Sequence, residues 1–242
     1  MKIAIIGYGR MGREIEKAAL ERGHSIIARI DNIPECEQQE NLLRNADVAI
    51  EFSLAGSAPA NILKCFELNL PVVSGTTGWL DRFNEISRIC SEKNQAFFYA
   101  PNFSIGVNVF FELNQKLAQM MKNFGEYEIF VSEAHHVHKA DAPSGTAIKL
   151  ANDIISEIGR KKAWTDSPEP AEDKIGIASV REGNIPGTHT VIYESPFDKI
   201  EITHSAKSRK GFAVGAVMAA EWLPGKKGVF NMNHLLKTSG NQ

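Results

Sequence analysis

Long apolar runs are missing from this chain of 242 residues. The N-terminal MKIAIIGYGRMG has only four consecutive apolar residues before a glycine, too few for the core of a signal peptide, and no other run approaches the length of a membrane helix. A charge bias is also missing, because 27 basic and 29 acidic residues are scattered along the sequence. These absences predict a cytoplasmic protein with small-molecule partners, and neither a nucleic-acid nor a membrane partner.

Cysteine is scarce as well. Cys36, Cys65 and Cys90 are odd in number and widely spaced, without the CxxC pairs of a zinc or redox site. This pattern predicts reduced thiols rather than disulfides, as in a reducing compartment. Apolar residues, in contrast, make up 43% of the chain, which is enough for the core of one large domain or of two small ones.

The first hundred residues alternate between apolar runs and helical periodicity. The run KIAII at 2–6 ends in Gly7, and the helical stretch that follows closes at Gly23. Further strands are predicted at HSIIARID, DVAIEF, PVVSGTTG and QAFFYAPNFS, with helical segments between the later ones. Strands that alternate with helices indicate an α/β fold with a doubly wound, Rossmann-like parallel sheet.

A second domain is predicted from Ser104 onward. A long helical segment, the strand YEIFVSE and the helix GTAIKLANDIISEIGR come first, and three segments of alternating polarity then indicate antiparallel or mixed strands. The apolar helix GFAVGAVMAAEWLPG near the C-terminus is placed back against the first domain. We therefore expect one domain of residues 1–103 and 210–242, and an α+β domain with a mixed sheet of residues 104–209.

The turn GYGRMG supplies Gly7, Gly9 and Gly12 in a GxGxxG pattern, which is a weak signal by itself. Here the first glycine follows a strand and the third lies inside the next helix, whose N-terminus would direct free N–H groups at a phosphate. Asp31 follows Gly12 by 19 residues, at the predicted end of the second strand, where a carboxylate binds a ribose. The pattern favours a dinucleotide site over a plain turn with an unrelated surface Asp.

The preference between NADH and NADPH stays open. A carboxylate at Asp31 favours NADH, whereas a nearby cation would accept the additional 2′-phosphate of NADPH. Asn32 is neutral, and Arg10 is the only local candidate for such a cation. The loops SGTTG and APNFS follow predicted strands at the edge where ligands of parallel sheets bind, although ordinary strand-to-helix connections are the alternative.

The loop EAHHVHKADAPSGTA at 133–147 concentrates titratable side chains. His135 and His136 leave a strand in opposite directions, so a metal would use His136 and His138, and a third ligand is not obvious. Solvated histidines are the plainer alternative, and no metal is expected. Lys139 together with PSGTA favours catalysis instead, because Ser144 can cap a helix whose first N–H groups would receive an anion.

This loop resembles the signature of the dihydrodipicolinate reductase family, E-x-H-H-x-x-K-x-D-A-P-S-G-T-A, and meets each of its fixed positions. GYGRMG, EFS, SGTTG, APNFSIGVNV and GFAVGAVMAAEWL extend the resemblance over nearly the whole chain in family order. Two features depart from the family pattern. Glu51 stands where the family usually has aspartate, and no basic residue follows Asp31.

The resemblance implies an NADH- or NADPH-dependent reductase of 4-hydroxy-tetrahydrodipicolinate, a cyclic imine dicarboxylate of the diaminopimelate route to lysine. Hydride transfer from the nicotinamide would be followed by protonation. By the resemblance His135 is catalytic, Lys139 donates the proton, and His136, Gly145 and Thr146 bind substrate. The implied cofactor residues are Gly7, Tyr8, Gly9, Arg10, Met11, Gly12, Asp31, Gly75, Thr76, Thr77, Ala100, Pro101, Asn102 and Phe103.

The resemblance also implies a homotetramer that forms through the second domain. Because the cofactor and substrate sites fall on different domains, we expect closure about hinges near 102–106 and 205–211. Arg209 lies in the second hinge without an assigned ligand. Two rival functions remain: a zinc hydrolase would carry stoichiometric metal, and a nucleotide sensor would bind NADH without consuming it.

Overall fold

The computed structural model describes residues 1–31, 35, 38–169 and 172–239, so Asn32 and Cys36 lie outside the described residues. The chain forms two compact units, Met1–Ile105 with Lys210–Gln242, and Gly106–Arg209. No helix in the described ranges is long and apolar enough to cross a membrane.

Strands and helices alternate along most of the first hundred residues, as the sequence predicts. The strands are Lys2–Ile6 (β1), Ser25–Ile30 (β2), Val48–Glu51 (β3), Val72–Ser74 (β4), Ala96–Tyr99 (β5), Glu128–His135 (β6), Ala163–Thr165 (β7), Lys174–Arg181 (β8), Thr188–Glu194 (β9), Lys199–Ser205 (β10) and Gly228–Phe230 (β11). The α-helices of the described residues are Arg10–Glu21 (α1), Glu40–Arg44 (α2), Ala58–Glu67 (α3), Phe83–Glu92 (α4), Ile105–Met121 (α5), Gly145–Glu157 (α6), Lys210–Trp222 (α7) and Met232–Ser239 (α8), and a short 3₁₀ helix spans Leu80–Arg82.

A parallel sheet of order β11-β5-β4-β3-β1-β2 forms the centre of the first unit. Its register places the last residues of four strands side by side: Ile6 beside Glu51, Glu51 beside Ser74, and Ser74 beside Tyr99. The loops after β1, β3, β4 and β5 therefore begin at one edge of the sheet, where ligands of parallel sheets bind.

Helices cover both faces of this sheet, because successive strand residues point to opposite sides. Ile3 and Ile5 belong to a core cluster with α1 and α7, whereas Ala4 and Ile6 belong to a second cluster with α3 and α4. The apolar helix α7 therefore lies in the first unit, where its small side chains are fully buried. Cys65 and Cys90 are buried in the second cluster.

The second unit has a mixed sheet of order β10-β9-β6-β8-β7, as the alternation of polarity predicts. The central strand β6 runs antiparallel to β9 and parallel to β8. Helices α5 and α6 share one apolar core with the sheet, in which Val131, Leu150 and Val191 are at most 1% exposed. Buried Asn114 joins the two helices by donating a hydrogen bond to the carbonyl of Leu150 at 3.0 Å.

The sequence does not predict four short elements, α2, β7, β11 and α8. Each of them has three to eight residues, which is too few for a clear hydrophobic period, and tertiary contacts decide their structure. Strand β6 also continues two residues beyond its predicted end at Glu133 and stops at His135. The first histidine of the loop motif therefore belongs to the sheet.

Candidate active site

The glycine-rich turn between β1 and α1 depends on the absence of two side chains. Gly7 has a φ of 93°, and a Cβ atom there would lie 2.1 Å from the carbonyl oxygen of Phe52. A Cβ atom at Gly12 would lie 2.3 Å from the carbonyl oxygen of Gly7. At Gly9 the space is open. Gly7 and Gly12 thus permit close packing, while Gly9 leaves the turn accessible to a ligand.

A cavity of about 340 Å³ adjoins this turn and is lined in part by Gly7, Gly9 and Asp31. Helix α1 begins beside it with Gly9 as N-cap, and within the described ranges no side chain caps the helix. Its first N–H groups can therefore bind an anion. Asp31 accepts a hydrogen bond from the backbone N–H of Tyr8 at 2.9 Å, and its exposed carboxylate faces the cavity. Amide donors beside a carboxylate fit the pyrophosphate and ribose of a dinucleotide.

Tyr8 faces a cluster of charges on α1 and β2. Its hydroxyl donates a hydrogen bond to Glu16, and the guanidinium carbons of Arg13 and Arg29 lie 5.4 and 5.9 Å from its ring centroid. The prediction that Arg10 is the only local cation is therefore wrong, although Arg29 is already paired with Glu16. Arg29 stands two positions before Asp31, and the pairing of its strand with β1 brings it to the turn. Arg10 itself is exposed, and Met11 packs against the core.

The buried carboxylate of Glu51 stabilises the loop Gly75–Thr77 through hydrogen bonds. Glu51 accepts hydrogen bonds from the hydroxyl of Ser74 at 2.6 Å and from the hydroxyl of Thr76 at 2.9 Å. A Cβ atom at Gly75 would lie 2.2 Å from the ring of Phe52, so this glycine is required for close packing. Thr76 is consequently buried, whereas Thr77 is exposed.

The segment Ala100–Phe103 divides between the core and the surface. Ala100 and Phe103 are each 2% exposed, so the backbone is the part of these two residues that a cofactor could reach. Pro101 is exposed and Asn102 is half-buried. The side chain of Asn102 accepts a hydrogen bond from the backbone N–H of Ser104 at 2.9 Å, which fixes the turn into α5.

In the second unit, Glu133 is the centre of a buried polar cluster. Strand register places His189 of β9 opposite Glu133, and Arg181 of β8 opposite His135. Glu133 Oε1 accepts hydrogen bonds from Arg181 Nη2 at 2.9 Å and from the backbone N–H of Ser144 at 3.0 Å. Burial alone would raise the pKa of Glu133, but the adjacent His189 and the hydrogen bonds from Ser144 and Arg181 outweigh burial and hold the pKa below its usual range.

His135 lies beside Glu133 and is only 7% exposed. Its Nδ1 is 3.4 Å from Glu133 Oε2, and its ring meets the ring of His189 edge to face at a centroid distance of 4.9 Å. Burial lowers the pKa of His135 to about 4; His189, Lys139 and Arg181 act in the same direction, and the Glu133 carboxylate opposes them. At neutral pH this imidazole is therefore uncharged.

Lys139 lies in the loop after β6 and is half-buried. Its Nζ lies 2.6 Å from Asp141 Oδ1 and 2.8 Å from Oδ2, and this ion pair lowers the pKa of Asp141. Arg181, which binds Glu133, also donates a hydrogen bond to the backbone carbonyl of Asp141. The charged groups of the loop are thus connected to the buried cluster by direct contacts.

The same cluster positions the start of helix α6. The Ser144 hydroxyl accepts a hydrogen bond from the backbone N–H of Ala147 at 3.2 Å and lies 3.1 Å from His189 Nε2. Ser144 is therefore the N-cap, as the sequence predicts. Exposed Gly145 and half-buried Thr146 form the first turn, and their N–H groups precede the first internal hydrogen bonds of the helix. This turn can bind a carboxylate.

The other loop histidines lie farther out. His136 is half-buried and His138 is exposed, with ring centroids 6.3 Å apart. A different trio, Glu133, His135 and His189, brings potential metal-ligating atoms within 4.8 Å of one another in the part of the chain that the structure describes. The Arg181 guanidinium on Glu133 disfavours a dication there, because like charges repel strongly at short range.

Sequence reasoning missed Arg181 and His189. Neither residue stands in a local motif, and each joins the cluster through the register of its strand with β6. Glu133 was visible in the loop motif but had no assigned role. The alternation along β6 buries Ile129, Val131 and Glu133 on one face. This alternation was the signal that could have revealed the cluster, because a buried carboxylate requires polar partners.

A parallel sheet with a glycine-dependent turn, and a second unit with a helix start that can bind an anion, are the features of a nucleotide-dependent oxidoreductase of two units. Residues 1–103 match the family model described as "Dihydrodipicolinate reductase, N-terminus", and residues 106–236 match "Dihydrodipicolinate reductase, C-terminus". The chain therefore belongs to the dihydrodipicolinate reductase family. The family and the sheet together imply a nicotinamide cofactor.

Two curated relatives agree with this assignment. A 4-hydroxy-tetrahydrodipicolinate reductase of Christiangramia forsetii is 52% identical over 236 residues, which cover 98% of both chains. Another, of Neisseria meningitidis serogroup A, is 35% identical over 266 residues, with 98% of this chain and 97% of the relative covered. A solved dipicolinate-bound dihydrodipicolinate reductase from Paenisporosarcina sp. TG-14 shares the fold, with a TM-score of 0.76 and 20% identity over 96% of this chain and 97% of that chain.

Proposed function

We propose that the first unit binds NADH or NADPH through the glycine-rich turn, Asp31 and the loops 75–77 and 100–103, and that the second unit binds the dicarboxylate substrate. One observation carries this proposal. An unbroken series of contacts joins Lys139, Asp141, Arg181, Glu133 and Ser144, which supports the assignment of the ammonium and the start of α6 to one site. Such a site suits an anionic substrate that must also receive a proton.

The residues of the second unit then have distinct tasks in the reduction of 4-hydroxy-tetrahydrodipicolinate, which must lose its 4-hydroxyl group as water so that the resulting conjugated cyclic imine can accept a hydride. When bound, the nicotinamide supplies a hydride from C4. The N–H groups of Gly145 and Thr146 bind one substrate carboxylate, and His136 binds substrate as well. Lys139 protonates the enamine-like anion left on the substrate and offsets its charge. His135, being neutral, contributes a hydrogen bond rather than a charge.

An assay of substrate-dependent cofactor oxidation tests this function. Purified protein, mixed with enzymatically generated 4-hydroxy-tetrahydrodipicolinate, should oxidise NADH or NADPH at a rate that requires both components. Parallel assays with each cofactor would establish the preference. Cofactor binding without turnover would instead indicate a sensor and would overturn the proposal.

We also propose a homotetramer that forms through the open face of the mixed sheet. Phe130, Ala178 and Ile192 lie on this face around a depression of about 230 Å³, and Val180 is 44% exposed. A half-exposed apolar sheet face suits a symmetric contact with another copy. Hydride transfer requires that cofactor and substrate meet, so we propose closure about the connections at 105–106 and 209–210. A cytoplasmic location stays a prediction, which cell fractionation would test.

A further inference from the structure

Three buried polar atoms of the Glu133 cluster have no hydrogen-bond partner in the described part of the chain: Glu133 Oε2, His135 Nδ1 and His189 Nδ1. Two of them face each other, because Glu133 Oε2 lies 3.4 Å from His135 Nδ1. The same oxygen lies 3.6 Å from His189 Nε2. Buried polar atoms are costly when unsatisfied, so their arrangement indicates where a proton must reside.

The two oxygens of Glu133 have different surroundings. Oε1 is saturated by two donors, the guanidinium of Arg181 and the backbone N–H of Ser144. These two donors stabilise the anionic carboxylate, which leaves Oε2 available as an acceptor towards the histidine pair. A proton on His135 Nδ1 would therefore face an acceptor, since Oε2 lies 3.4 Å from that nitrogen.

The opposite edge of the His135 ring is kept clear by a glycine. Gly187 has a φ of 152°, and a Cβ atom there would lie 2.9 Å from His135 Nε2 and 3.2 Å from Cδ2. Any other residue at this position would press against the ring and cover Nε2. The ring therefore has one edge that faces a carboxylate, and a second edge, at Nε2, beside which a residue without a Cβ atom is required.

We infer that Glu133 is a positioning residue that fixes His135 as the Nδ1–H tautomer and so presents an unprotonated Nε2 as a hydrogen-bond acceptor. The carboxylate orients the ring and holds the start of α6 through Ser144, so one residue sets both parts of the proposed substrate site. The inference deepens the proposed function and rests on it for the statement that His135 touches substrate. A carboxylate that orients a catalytic imidazole acts in the same way in hydrolase triads.

The substitution Glu133→Gln separates orientation from mere packing. Because Arg181 and Ser144 are both donors, the amide oxygen must take the position of Oε1, and the amide NH₂ then faces His135 Nδ1. His135 Nδ1 must then accept a hydrogen bond from this NH₂ group, so the ring proton moves to Nε2. Glu157→Gln, near the C-terminal end of α6, is the matched control because its carboxylate accepts from Gln119 outside the cluster.

Ring ¹⁵N NMR of histidine-labelled protein reads the tautomer directly, with His135→Asn used to assign the signals. We expect Nδ1–H in the wild type and in Glu157→Gln, and Nε2–H in Glu133→Gln, together with a loss of kcat of about a hundredfold or more. An Nε2–H tautomer in the wild type would overturn the inference, and this measurement needs no variant that folds. An unchanged tautomer in folded Glu133→Gln would overturn it as well.

The tautomer and the activity distinguish the two proposals. If the tautomer switches while kcat is unchanged, the positioning role of Glu133 is supported and the catalytic role of His135 in the proposed function fails. Gly187→Ala provides a second test, because its methyl group covers Nε2. It should lower kcat by about tenfold or more and leave the Nδ1–H tautomer in place; a variant with wild-type kcat would contradict an active Nε2.

Discussion

At the scale of single residues, the most direct prediction concerns the kinetic role of Lys139. We assign its ammonium to proton donation and to charge compensation, so Lys139→Ala should lower kcat by about a hundredfold or more while cofactor affinity barely changes. Steady-state kinetics with NADH binding measured separately would test this. Lys149→Ala is a matched control, because Lys149 forms a comparable ion pair with Asp153 on α6 at 2.9 Å.

The alternatives for Lys139 give different kinetics. A lysine that only attracted the dicarboxylate would raise KM and leave kcat nearly intact, and a purely solvated lysine would change neither. A kcat within about threefold of wild type would rule out proton donation, since general acids contribute far more than that.

Asp31 should influence the choice between cofactors. Asp31→Ala removes an acceptor for the unphosphorylated ribose, so NADH binding should weaken more than NADPH binding. Fluorescence titration with both cofactors would measure this difference. Asp47→Ala is a suitable control, because Asp47 also accepts a backbone hydrogen bond, from Lys2 at 2.6 Å. Equal losses for NADH and NADPH would contradict Asp31 as the ribose ligand.

His135 should make folding stability depend on pH. Its pKa lies at about 4 in the folded protein against an ordinary value of 6.5, so between these values the unfolded chain binds a proton that the folded chain does not. The contribution is therefore complete above pH 6.5 and is lost as the pH falls towards 4, by at most about 1.4 kcal/mol per pH unit.

Urea unfolding at several pH values would measure this slope. His135→Asn should have a shallower slope than the wild type, whereas His138→Asn, which changes an exposed ring, should retain it. Burial lowers the pKa of His204 as well, so part of the slope should persist in both variants. Identical slopes in the wild type and His135→Asn would contradict the buried neutral imidazole.

At the scale of elements, the start of helix α6 should contribute both to the stability of the protein and to the binding of the substrate. Ser144→Ala removes the N-cap bond to Ala147 and the contact with His189, which should destabilise the protein by about 1 kcal/mol. Because the first turn then loses its fixed geometry, KM for the dicarboxylate should rise more than kcat falls. Ser156→Ala, whose hydroxyl donates to the carbonyl of Asp153 near the other end of α6, is the control. An unchanged KM in folded Ser144→Ala would exclude this helix start as a substrate site.

At the scale of the whole molecule, the open face of the mixed sheet should determine the oligomeric state. Ile192→Glu replaces an apolar side chain of its depression by a charged one, and burying that charge in an interface would be costly. We expect the proposed tetramer to dissociate, which analytical ultracentrifugation would detect. Leu80→Glu, at a half-exposed position of the first unit, should leave the assembly unchanged. A tetrameric Ile192→Glu protein would place the interface elsewhere.

The sequence by itself determined the features that depend on neighbours along the chain. Turn glycines such as Gly7, the N-cap at Ser144, and the periods of the longer strands and helices all follow from local backbone and side-chain chemistry. The mixed sheet and the parallel sheet followed from these periods as well. The sequence does not predict three-residue strands such as β7 and β11, because so short a segment has no recognisable hydrophobic period.

Only the tertiary structure decided which distant residues meet. Register with β6 brings Arg181 and His189 to Glu133, and strand pairing brings Arg29 to the turn at Tyr8. The burial that keeps His135 neutral also depends on the assembled core. Register is set by the pairing of whole strands and by the packing of their buried faces, so a sequence read one segment at a time does not contain it.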